Sequence, residues 1–339
     1  MPKAKRLELE ALQAPISQPR FGSLFIDSGA FTLYNRHVLR STGKNIGAHG
    51  RELAPSHIRF GSGDYSWYDL SKGAEFREYC DAYAAFIKAH RHLRGIYFVN
   101  VDVLHNAKLT WQVQQFFEEE HGLRPVPVIH FGTSRLYVDR YIEAGHKLIG
   151  LGGSAKGVTR GRYIQWADAV WLGICPAENA RMPLVRVHGF ALTSWMLMAR
   201  YPWWSVDSTT WCKVGAYGSI LVPKWSEQKG EWDYRRPDVV SFSHKAPQRS
   251  QKDQHFDTLG DSHKRRVLRW LAEIAVPLGA VDAKGNGTEP GVRAHHTHRK
   301  QANLIFFKRY EAQFPEWPYP LDPEVVCPRR AGYGGGFGL

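Results

Sequence analysis

Seven short, nearly continuous apolar runs, separated by polar or amphipathic stretches, restrict this chain more than any other feature of its sequence. They span residues 23–29, 96–102, 126–132, 148–153, 185–192, 203–207 and 218–222. Parallel strands covered on both faces require runs of this kind. Between them, residues 74–91 place Phe76, Tyr79, Cys80, Tyr83, Phe86 and Ile87 on one face at helical period, which predicts a helix. Residues 107–120 and 134–144 predict two more, the second closed by Gly145. Residues 163–174 read equally as helix or strand. Such alternation implies a parallel α/β fold, either a barrel or a doubly wound sheet.

Two regions depart from the alternation. Residues 31–72 form a long Gly-, Ser-, His- and Arg-rich segment after the first run, and a loop of that length is usually functional or mobile. Its Tyr65, Trp67 and Tyr68 have two readings, as stacking partners for a flipped base or as packing for the loop itself. After about residue 224 the pattern changes: 224–261 is polar with few strand signals, 262–278 reads as a basic amphipathic helix, 281–298 as a loop turning at 285–287, and 299–314 as another helix. The chain thus divides into a lead-in (1–22), a barrel core (23–223), a basic C-terminal region packing on the barrel (224–330) and a flexible Gly-rich tail (331–339).

The 339 residues carry a net charge of +13, with 12 Trp and 15 Tyr, which suits a polyanionic, base-stacking partner such as nucleic acid. A solvated basic face is the plainer alternative. Cys80, Cys175, Cys212 and Cys327 lie far apart and form no CxxC, so a disulfide framework is not expected and a reducing cytoplasm fits. No run of about 18 uncharged apolar residues predicts a membrane span, and residues 1–13 lack the apolar core of a secretory signal. The sequence leaves oligomeric state open.

Three of the runs end in an aspartate: Asp27, Asp102 and Asp207. Carboxyl ends of parallel barrel strands form the active-site face, so these positions predict three carboxylates converging at one mouth. In the plainer alternative each caps the turn that follows it. Two carboxylates across a pocket serve glycosidic-bond chemistry, one attacking the anomeric carbon and the other moving protons. A third accepts N–H bonds from a base. His130 ends another run and would donate to a carbonyl, and the glycines at Gly152 and Gly153 allow close approach of a flat ligand. His188, inside an apolar run, reads as a core histidine; His295, His296 and His298 read as a solvated basic loop rather than a metal site. Up to this point polysaccharide and nucleoside substrates are not separated.

These motifs together resemble the tRNA-guanine transglycosylase superfamily. Asp27-Ser28-Gly29-Ala30-Phe31-Thr32 is similar to the family's DSGG(F/Y)Q element, and Asp102 matches its second recognition aspartate. VIHFG resembles VQGG, with His130 at the base-binding glutamine; GLGGSAKG resembles GGLAVGE, with Gly152 and Gly153 in the glycine pair. RVHGFAL resembles (Y/H)LMGVG, and SVDSTTW resembles FDCVxPTR, with Asp207 at the nucleophile. The matches run in family order over residues 23–222. The CxCxxC of the family's structural zinc site is absent, so no cofactor or metal is implied. The compact, divergent pattern is closest in character to the phage DNA-guanine transglycosylases.

The resemblance implies an α/β TIM-type (β/α)8 barrel with insertions and a divergent, mostly helical C-terminal extension. It implies a pentosyltransferase that exchanges guanine in DNA for a free 7-deazaguanine such as preQ0. Asp207 would be the nucleophile and Asp27 the proton carrier, with Ser28, Asp102, His130, Gly152 and Gly153 at the base. Lys264, Arg265, Arg266 and Arg269 would hold phosphates. The implied location is the cytoplasm, that of a host if the chain is phage-encoded. The alternatives are tRNA as substrate, a barrel glycoside hydrolase, or a non-catalytic nucleic-acid-binding protein.

Overall fold

The structure, a computed structural model, describes residues 24–34, 36–37, 64–71, 74–152, 159–192, 194–246, 252–322 and 324. The expected lead-in, the Gly-rich tail, Gly153 and most of the long segment after the first strand lie outside the described residues. The fold is mixed α/β, in two compact units, Met1–Phe190 and Ala191–Leu339. That division lies upstream of the change in composition near residue 224.

In the first unit, five strands are separated by helices. They are β1 (Leu24–Ile26), β2 (Ile96–Phe98), β3 (Val128–His130), β4 (Leu148–Gly152) and β5 (Arg186–Gly189). β1 pairs β2, β3 pairs β4 and β4 pairs β5, all parallel. A parallel bridge between Val99 and Val126 joins β2 to the approach of β3. The spatial order of these five strands is therefore their order in the chain.

Five flat parallel strands would hold the first and fifth about 19 Å apart, four spacings of about 4.8 Å. Instead, the Phe25 ring on β1 stacks on His188 of β5 with centroids 3.9 Å apart. The sheet is curled, and these side chains fill its concave side. Alternation puts Ile26, Ile96 and Phe98 on the other side, in the core beneath the helices.

The helices of this unit are α1 (Ala30–Tyr34), α2 (Ala74–His90), α3 (Ala107–His121), α4 (Arg135–Glu143) and α5 (Arg160–Ile174). Local chemistry sets their ends. The Asn106 side chain accepts from Leu109 N at the start of α3, and Gly122, at φ 63°, ends it. Ser134 and Thr159 cap α4 and α5 in the same way. The ambiguous stretch 163–174 is helical, because Tyr163, Ala167, Val170, Trp171 and Ile174 bury one face at three- and four-residue spacing.

The second unit contains α6 (Trp195–Arg200), β6 (Ser205–Val206), α7 (Thr210–Ala216), β7 (Ser219–Ser226), β8 (Glu231–Ser241), α8 (Asp261–Glu273), β9 (Ala280–Val281), β10 (Gly287–Glu289) and α9 (His296–Glu311). β7 and β8 form a long antiparallel hairpin turning at Gly230, φ 64°. This corrects the expectation of few strand signals in residues 224–261; among the described residues after 224 helix still exceeds strand. β8 buries Trp232 and Tyr234 while Glu231 and Arg235 face water, so its period-two pattern reads as polar. The expected loop near residue 285 is the small β9–β10 hairpin.

Helices α8 and α9 contribute Val267, Trp270, Leu271, Ala302, Phe306 and Tyr310 to the core of this unit. Buried Asn303 accepts from Leu221 N at 2.7 Å and donates to the Trp211 carbonyl at 3.1 Å, tying α9 to β7 and α7. No helix among the described residues is long and apolar enough to cross a membrane.

Candidate functional site

The concave sheet of the first unit positions a buried histidine–carboxylate pair. Asp102 follows β2 and His130 ends β3, each 6% exposed, with Nε2 to Oδ2 at 2.7 Å. The turn carrying Asp102 is fixed by Thr110, whose hydroxyl accepts from Val103 N and donates to Val103 O. Two buried ionisable groups are tolerable because each satisfies the other. The sequence placed both residues at strand ends; the structure brings them into direct contact.

Two further groups flank the pair. Tyr68 is 1% exposed, and burial, reinforced by the charge of Asp102, pushes its phenol well above the ordinary range. It is therefore a neutral hydroxyl. The His105 ring lies 6.3 Å from that of His130, and burial, then His130, pushes its pKa down to about 4. It is a neutral imidazole at physiological pH. His105 was missed in the sequence because nothing local marks it; its left-handed backbone (φ 63°) follows from the turn after Asp102.

Asp27 is exposed at the end of β1 and accepts the Gly29 N–H at 3.3 Å, the turn-capping role of the plainer alternative. Ser28 is 2% exposed; its backbone carbonyl accepts from the Tyr79 hydroxyl, and its own Oγ has no hydrogen-bond partner among the described residues. Gly152 pairs with His130 in the register of β3 and β4. A Cβ at Gly152 would meet His130 at 3.8 Å, an ordinary contact, whereas at Gly150 it would lie 2.2 Å from the Phe190 ring. The strict requirement for glycine in this strand is thus at Gly150, for packing.

The aromatics of the long first loop pack it. Trp67 stacks on His37 with centroids 3.7 Å apart and abuts Phe76, and the Tyr65 hydroxyl donates to the Leu104 carbonyl. His188 is 3% exposed, a core histidine stacked on Phe25, as expected.

Asp207 belongs to the second unit. It follows β6, is exposed, and accepts the Ala191 N–H at 2.6 Å. Ala191 has φ 51°, a conformation rare for a side chain with Cβ, so this bond fixes a strained turn as well as the carboxylate. Asp207 lines a cavity of about 870 Å³, whose walls include Trp204, Trp211, Phe307 and Trp317, with Glu311 and Glu316 also lining it. Sequence reading missed this wall. Its only trace was aromatic density in YPWW and FPEWPYP, segments more than a hundred residues apart. Tertiary packing alone joins them.

The four basic residues of α8 do not act as one set. Arg265 and Arg269 are exposed, and Lys264 is half-buried. Arg266 instead forms an ion pair with Asp238, which also meets His263 at 3.2 Å. Arg269 lies over the Trp225 ring, 3.5 Å from its centroid. Among the described residues no group of three or more His, Cys, Asp or Glu is placed to hold a metal ion. No protein-family model, no curated protein and no solved structure matches this chain.

Proposed function

We propose that this protein is a base-exchange transglycosylase that replaces guanine in DNA with a 7-deazaguanine. Asp207 attacks C1′ of the target nucleotide, the C1′–N9 bond breaks, and guanine leaves with a proton supplied by Asp27. The N9 of the incoming base then attacks C1′, the bond to Asp207 breaks, and Asp27 recovers the proton. Bond making and breaking balance, so neither ATP nor an oxidant is needed. Asp102, held by His130, accepts N–H bonds from the base, and a duplex substrate must first extrude its nucleotide at about a few kcal/mol.

The observation that carries this reading is Asp207: a strand-end carboxylate, fixed by a backbone N–H, lining an aromatic-walled cavity of about 870 Å³. Stacking walls suit a purine, and the ordered series of family-like motifs favours nucleoside over polysaccharide. The test is incorporation of labelled preQ0 into duplex DNA, with tRNA in parallel. Wild type incorporates label into DNA and Asp207→Ala does not; equal incorporation by both would sink the nucleophile assignment. Label entering tRNA alone would keep the chemistry and change the substrate.

A second reading, hydrolysis of a glycan, is favoured by one observation: tryptophans and the carboxylates of Asp207 and Glu311 line the same cavity. Release of reducing sugar from polysaccharide, lost in Asp207→Ala, would select it.

A further inference from the structure

The aromatic and acidic lining of this cavity has its own chemistry. Trp204, Trp211, Phe307, Phe314, Trp317 and Tyr319 line the space and are half-buried. At about 870 Å³ the cavity is in the size range of small-molecule sites. Its charged lining is Asp207, Glu311 and Glu316 against Lys308 alone. Glu311 and Glu316 are exposed, and their carboxylates make no ion pair or hydrogen bond among the described residues.

Aromatic faces carry negative electrostatic potential and attract cations, most strongly at tryptophan. Three carboxylates around those faces add to the same sign. A free carboxylate ligand would meet repulsion, and a neutral ring would gain stacking and apolar burial without the added attraction of charge. In a protein of net charge +13, a carboxylate-rich aromatic hollow runs against the overall balance. A solvated helix end would explain Glu311 by itself; it does not explain six half-buried aromatics lining the same space.

We propose that this cavity binds a flat organic cation, stacked on its tryptophans and neutralised by Glu311 and Glu316. The proposal concerns the cavity that Asp207 lines but does not rest on base exchange, which is judged separately by the label assay. The test is calorimetric titration of the full chain with three ligands of one shape: benzamidine (cationic), benzamide (neutral) and benzoate (anionic). Benzamidine is expected to bind at least about tenfold more tightly than benzamide, and benzoate more weakly than either. In the double variant Glu311→Gln, Glu316→Gln, both changes at exposed positions, benzamidine falls toward the affinity of benzamide, which itself does not change. Equal binding of benzamidine and benzamide, no binding by any of the three, or a preference unaltered in the double variant would each overturn the proposal.

Discussion

Asp102 and His130 cost the fold less together than either would alone. Each is 6% exposed, and their contact at 2.7 Å satisfies groups that water no longer reaches. Removing one partner leaves the other buried without its counterpart, a loss of about 3–5 kcal/mol in comparable pairs. Asp102→Ala is therefore expected to lower the urea midpoint strongly. Adding His130→Ala to it should cost much less than the sum of the two single changes, a coupling that a double-mutant cycle measures. Additive losses would mean that the pair is not a unit. Both residues were legible in the sequence as polar ends of apolar runs. Their pairing was not, because no sequence spacing encodes a contact between adjacent parallel strands.

At the scale of elements, close packing within the first unit depends on a small residue in its fourth strand. Gly150 on β4 leaves the space that the Phe190 ring occupies; an added Cβ would sit 2.2 Å from that ring. Gly150→Ala should destabilise the first unit by about 1–3 kcal/mol, the usual range for overpacking. Phe190→Leu should recover much of the loss in the double variant, measured as the change in urea midpoint. If the single change is neutral, the ring moves freely and the close packing is not a constraint. The strands and helices of this unit were legible because both-sided burial produces continuous apolar runs and regular helical faces. The β7–β8 hairpin was not, since β8 buries only alternate residues and its outward Glu231, Asp233 and Arg235 mask the strand. The turn at 285–287, held by Asp282 accepting from Lys284 N and Asn286 N, was legible, but the short strands β9 and β10 beside it were not.

For the whole molecule, titration and salt dependence make separate predictions. Burial lowers the pKa of His105 to about 4, and those of His146, His255 and His263 also fall, again chiefly through burial. A folded pKa below the unfolded value of about 6.5 means that the native state binds fewer protons in the window between them. Stability is then complete above about pH 6.5 and declines as pH falls toward 4. The urea midpoint at pH 5 should lie below that at pH 7.5, and His105→Asn, a residue that tolerates the left-handed backbone, should narrow the gap. A midpoint that rises on acidification would contradict the sign. On the proposed reading of DNA as substrate, phosphate contacts by basic residues make affinity fall steeply with salt. The contacts of α8 divide its basic residues. Arg265 and Arg269 are exposed, so Arg265→Ala with Arg269→Ala should reduce the slope of log K against log salt by about 1–2. Arg266 is held by Asp238, so Arg266→Ala should lower the urea midpoint and leave the slope unchanged. A slope reduced by the Arg266 change and untouched by the other two would place the phosphate-binding face of α8 on the side that Asp238 occupies, and a slope altered by none of the three would remove α8 from the nucleic-acid surface altogether.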